Sequence, residues 1–168
     1  MANRIVAGVV AGAAGVVALK LTNYLDMLVR GRPESDTPAR VAGKLADEIG
    51  LPLDFDDDAT DGAARSDEQG ASERLVNRQE ALGALLGVAD GLGIGLVYGV
   101  VRLILPRPPA WLAGAALGSL SMAAAEYPAA RLGLTEARDW GSADWVADVL
   151  PHMAYGVATA LAFEAARG

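Results

Sequence analysis

Glycine recurs at every fourth position through one stretch of this chain, at Gly83, Gly87, Gly91, Gly95 and Gly99. Spacing of four sets neighbouring members of such a series on the same side of a helix. In water each interior glycine costs a helix about 1 kcal/mol relative to alanine, so five would weaken an exposed helix severely. In lipid the same spacing forms a groove where a second helix approaches closely, gaining dispersion contacts and weak Cα–H···O bonds that lipid tails do not match. Gly8 and Gly12 repeat the device, as do Ala154, Ala158, Ala162 and Ala166. The glycine face is therefore expected to pack a helix, either of this chain or of a homo-oligomer or membrane-protein partner.

Four apolar stretches accompany the glycines, at about 5–28, 81–105, 110–127 and 145–163. None holds an uninterrupted uncharged run of about 18 residues, the usual criterion for a spanning helix. The alternative, a soluble bundle, needs a polar stripe on each helix. Ile5 to Leu19 offers no charged or amide residue, and Ala110 to Ala125 offers only Ser119 and Ser121. With 20 glycines and 5% aromatic residues, small side chains must carry the packing. The predicted fold is all-α: one membrane domain over residues 1–168, an integral bundle of four transmembrane helices. The start, Met1 to Arg4 before Ile5 to Leu19, imitates a secretory signal. Its Ala11-Gly12-Ala13 motif falls inside the apolar run, so the segment is read as an uncleaved first helix.

The loop at about 30–78 has two parts. Thr37-Pro38 reads as an N-cap with proline at the first helical position, and Val41, Leu45 and Ile49 follow at i, i+4 and i+8 before Gly50. These predict a short amphipathic helix lying on the membrane surface. Asp54, Asp56, Asp57, Asp58, Asp61, Asp67 and Glu68 then sit among Ala, Gly and Ser, a composition expected to stay disordered over about 54–72. Asp57, Asp61, Gly62 and Glu68 half-match a calcium loop, but Ala59 and Arg65 occupy ligand positions. A solvated acidic tether is the simpler expectation.

Ionisable residues at membrane depth cost about 2.5–3.5 kcal/mol each on insertion scales, so each needs a partner or a purpose. At 1.5 Å rise per residue, Lys20, Asp90 and His152 lie about 12–14 Å from the loop side on three different helices. Asp148, His152, Tyr155 and Thr159 form one stripe on the last helix, Pro151 is placed to bend it, and Asn23 and Asp26 lie shallower. A buried polar layer of Lys20, Asp90, His152, Asp148, Tyr155, Asn23 and Asp26 is expected, with Lys20 pairing Asp90, His152 donating to a carboxylate or carbonyl, and Glu126 beside it. Trp111, Trp140 and Trp145 read as interface anchors, and Ser142 as an N-cap.

The net charge of -7 argues against nucleic acid, which requires a concentrated basic surface. No cysteine, one histidine, no H-E-x-x-H and no phosphate loop leave no catalytic, cofactor-binding or metal residue to name. Arg4, Arg102, Arg107 and Arg167 lie on the side of both termini against Glu164 alone, whereas the loop side holds more basic residues and most of the acidic ones. Counting basic residues favours the loop inside, but long loops translocate regardless of charge. The short turn Leu105 to Pro109 resembles an inside hairpin. The expected topology has both termini cytoplasmic and the acidic loop outside.

Thr22-Asn23-Tyr24-Leu25-Asp26-Met27, Arg30-Gly31-Arg32-Pro33, Thr37-Pro38, Asp144-Trp145-Val146-Ala147-Asp148 and Pro151-His152-Met153-Ala154-Tyr155-Gly156 resemble segments of small uncharacterised membrane proteins of actinobacteria. That resemblance implies a four-helix architecture in a bacterial plasma membrane, and no activity. Two functions suit these residues: a structural or partner-binding bundle, or alternatively a small transporter or proton or ion pathway built on Lys20, Asp90 and His152.

Overall fold

Apolar runs of this length fold as helices because a helix satisfies its own backbone donors and acceptors. The computed structural model describes residues 2–54, 68–136, 138 and 140–167. Among these residues the regular structure is all-helical: α1 (Ala2–Arg30), α2 (Thr37–Glu48), α3 (Glu68–Ile104), α4 (Ala110–Arg131) and α5 (Ser142–Ala166). Three of them, α1, α3 and α5, are long and apolar enough to cross a membrane. Ala, Gly and Ser fill α4, and it falls outside that set.

α1 stops where Gly31 turns to φ +63° and its N–H reaches the Met27 carbonyl at 2.8 Å. Gly50 and Gly133 end α2 and α4 alike, at φ +68° and +66°. In each case the next residue, Leu51 or Leu134, donates back to Ala46 or Ala129, which completes a Schellman motif. α4 runs on past Tyr127 through Pro128, because a proline this close to a helix end removes little of the ladder. Two expected caps shift by one residue. Asp36 and Gly141, rather than Thr37 and Ser142, stand at the N-caps of α2 and α5, and the Gly141 N–H donates to the Asp144 carboxylate at 2.9 Å.

α3 starts at Glu68, well before the expected position near Ala81, so residues 68–72 are helical rather than part of the linker. The added turns rest on α2, where Gly43 faces the Gln79 side chain and Gly83 faces the Pro38 backbone. Arg78 donates to the Leu53 carbonyl at 3.0 Å. α2 buries Ala42, Gly43 and Ala46 against this extension, not the Val41–Leu45–Ile49 stripe, and leaves Ile49 75% exposed. Small residues win the interface because they bring the two backbones closer. Most of the acidic linker, with Asp57, Asp61 and Gly62 of the calcium-like pattern, lies outside the described residues.

α1 lies between α3 and α5, α4 packs on the far side of α5, and α3 and α4 touch little. The core is built from Ala7, Ala11, Ala113 and Ala160 with Tyr98, Leu117, Tyr155 and Phe163, and the Tyr98 and Phe163 rings meet edge-on at 4.9 Å. Val6, Val10, Val17, Leu85, Leu161 and Trp111 point outward. Small residues inside and large aliphatic residues outside invert the pattern of a water-soluble core.

Candidate functional site

Four of the five glycines face other parts of the molecule. A Cβ on Gly95 would lie 2.5 Å from the Gly8 carbonyl oxygen, and one on Gly99 would lie 2.6 Å from that of Arg4. Gly12 faces the Gly91 carbonyl at 2.6 Å from the opposite helix. The α1–α3 seam is thus backbone against backbone. Gly91 itself faces Val16 and Tyr155, and Gly83 belongs to the α2 contact. Gly87 has open space where a Cβ would stand.

A second seam, between α4 and α5, uses Gly114 and Gly118 against Gly156. The i, i+4 spacing of Gly114 and Gly118 was the available signal for it. On α5 the close approach falls at Gly156 and not on the row Ala154, Ala158, Ala162 and Ala166.

The polar layer separates into two groups. Near the end of α1, Asp26 accepts from Arg30 Nη2 at 2.6 Å and Arg32 Nε at 2.5 Å, while Asn23 Oδ1 accepts from Arg32 Nη2 at 2.5 Å. Arg30 also donates to the Ala143 carbonyl at 3.0 Å, so this group ties the end of α1 to the start of α5. Its arginines satisfy its carboxylate locally.

Deeper, His152 Nδ1 donates to the Asp148 carbonyl at 2.7 Å and lies 3.3 Å from the Asp148 carboxylate, the arrangement expected for this histidine. The buried Tyr155 hydroxyl donates to the Gly91 carbonyl at 2.6 Å, bridging α5 to α3. Asp90 of α3 and Glu126 of α4 lie within electrostatic range of His152. The chain's one histidine therefore pairs with a carboxylate of its own helix, while carboxylates of two other helices act on it at longer range, with Thr159 buried a turn below Tyr155.

Lys20 does not join them. Its ammonium pairs with Glu34 at 3.2 Å, its side chain is 41% exposed, and the expected Lys20–Asp90 bridge is absent. A lysine stem is long enough to carry its charge from an inner Cα to the polar edge, where hydration costs less than burial.

Next to Asp90 along the chain, α3 has an apolar stretch with no helix among the described residues packed on it. Residues 84–89 of α3 are exposed on every side, between the α2 contact at Gly83 and the α1 contact at Gly91. Asp90 sits at the Gly91 end of that stretch. Among the described residues no group of three His, Asp or Glu side chains is placed to hold a metal ion. The two clearest grooves are shallow and apolar, one between α3 and α4 and one along Trp145, Val149 and Met153 of α5, and neither reaches Asp90 or His152.

No family model matches the chain, and no curated protein or solved structure shows significant similarity to it.

Proposed function

We propose that this protein is a four-span integral membrane protein whose Asp90, Glu126, Asp148 and His152 form a site for protons or a small cation, entered from the loop side. The carrying observation is the His152–Asp148 pair of α5, on which the Asp90 carboxylate of α3 and the Glu126 carboxylate of α4 also act electrostatically. A packing role alone is a poor account of it. No basic side chain among the described residues forms an ion pair with Asp90 or Glu126, so these acids add insertion cost without a bridge in return. Carboxylate and histidine groups facing a wet cavity inside a bundle are the usual material of proton and ion pathways. The inverted core and the close Gly114–Gly118–Gly156 seam favour α4 as a fourth span, since 22 helical residues reach about 33 Å. The location that suits this reading is a bacterial plasma membrane, with both termini cytoplasmic and the acidic linker outside.

The test is flux in proteoliposomes. Asp90→Asn should cut proton- or cation-dependent flux at least about tenfold, the effect of losing a relay carboxylate, while the thermal midpoint in detergent stays close to wild type. Unchanged flux, or a wild-type protein that passes neither protons nor cations, would sink the proposal.

A second reading, a structural bundle that receives a partner helix, is favoured by one observation. Gly87 alone of the five-glycine series is open, and it lies within the exposed apolar turns Leu85, Leu86 and Val88. Gly87→Leu would block such docking and leave flux intact.

A further inference from the structure

At the end of the bundle opposite the acidic loop, three guanidinium groups crowd one carboxylate. Arg102 Nη2 lies 3.3 Å from Glu164 Oε1, and Arg107 Nε and Arg167 Nη2 lie 2.9 and 2.8 Å from Oε2. A fourth arginine, Arg4, donates to the Arg102 carbonyl at 2.6 Å. Arg102 is 4% exposed and stands over the Phe163 ring at 5.9 Å, and its buried Nε has no hydrogen-bond partner among the described residues. A guanidinium cannot shed its proton to escape burial, so surplus positive charge at this depth calls for an anion.

The apolar cleft between α3 and α4 ends at the same place. It encloses about 220 Å³, is lined by Tyr98, Val101, Pro108, Leu112, Ala116 and Leu120 among others, and presents almost no polar surface. Val101 and Pro108, which line it, are the chain neighbours of Arg102 and Arg107, so one end of the cleft lies at the same level of the bundle as the arginines. Arg107 keeps its side chain 62% exposed, within reach of an anion arriving from outside.

We infer that this end of the protein binds one anionic phospholipid, its phosphate held at Arg107 and Arg102 and one acyl chain lying in the α3–α4 cleft. Charge and shape select the occupant together. A free phosphate would leave the cleft unfilled, and a zwitterionic lipid would bring its own cation to the arginines. The fork of an arginine suits phosphate oxygens, and phosphatidylglycerol supplies the net negative charge. The site lies away from Asp90 and His152 and stands whether or not the flux proposal holds.

Native mass spectrometry of the full chain in detergent tests this, with phosphatidylglycerol and phosphatidylcholine of matched acyl chains as probes. Wild type should retain phosphatidylglycerol severalfold better. Arg107→Gln, at an exposed position, should lower phosphatidylglycerol affinity about fivefold, the usual weight of one arginine at an anionic lipid, and leave phosphatidylcholine unchanged. Ala116→Trp, which fills the cleft from its open side, should weaken both lipids. Equal retention of the two headgroups, or an Arg107→Gln protein that binds like wild type, would overturn the headgroup site. Unaltered binding by Ala116→Trp would overturn the cleft, and full displacement by millimolar inorganic phosphate would make the site one for small anions instead.

Discussion

Glycines at identical spacing do different work here, and helix geometry explains why. A step of four residues overshoots a 3.6-residue turn by about 40°, so a row of five glycines winds around its helix. Gly83 therefore meets α2, Gly91 to Gly99 meet α1 or the Tyr155 ring, and Gly87 between them meets nothing. Gly95→Leu should destabilise the protein by about 3 kcal/mol, the upper part of the overpacking range, because the obstacles are the Gly8 carbonyl and the Gly12 backbone rather than movable side chains. Gly87→Leu meets no obstacle and should leave the protein as stable as wild type or more so, by up to about 1 kcal/mol from leucine's higher helix propensity. Thermal unfolding in one detergent compares the two, and equal losses at both positions would mean that the close contact at Gly95 does not set the cost. The spacing made close packing legible in the sequence, but the division of labour needed the angular drift and the positions of the neighbours. Lys20 stands apart from the polar layer for a related reason. Depth counted along a helix locates its Cα, whereas its ammonium pairs with Glu34, beyond the end of α1.

Among the elements, α3 departs furthest from its expected extent. Its apolar part was legible from hydropathy, but residues 68–80 carry Glu, Gln, Arg and Ser, and nothing in that local pattern demands a helix. The stabilising partner is α2, whose closest-packing residues, Ala42, Gly43 and Ala46, are poor hydrophobic markers. Two short polar-faced helices thus order one another outside the apolar bundle. Lys44 reaches the Leu132 carbonyl at 2.9 Å and fastens the pair to the end of α4. Gly83→Leu would push against the Pro38 carbonyl and separate them. Hydrogen exchange should then accelerate by about tenfold or more across residues 37–48 and 70–80, while residues 91–104 keep wild-type protection because the α1 seam is untouched. Equal acceleration through residue 104 would show that α2 supports the whole of α3.

At the scale of the molecule, the number of crossings decides where the two chain ends lie. Hydropathy supports three spans, α1, α3 and α5, and three spans would leave the ends on opposite faces of a bilayer. The proposed fourth rests on the contacts. Arg4 near the start of α1, Arg102 near the end of α3 and Glu164 near the end of α5 meet at one end of the bundle, whereas Arg30 meets Ala143 at the other. α4 must therefore travel the full length between Pro109 and Leu132, and Lys44 holds its far end beside α2. In α4, Ala, Gly and Ser take the place of larger apolar side chains, which lowers its hydropathy and lets it approach α5 closely. The absence of cysteine makes the chain a clean host for single thiols. With Asn3→Cys, Ser72→Cys and Ala165→Cys made separately, an impermeant maleimide applied to intact cells should label Ser72→Cys alone. The other two should react together once the membrane is opened. Labelling of the Asn3 and Ala165 positions from opposite faces would reduce the bundle to three spans and remove α4 from the membrane, and with it Glu126 from the proposed proton or cation site.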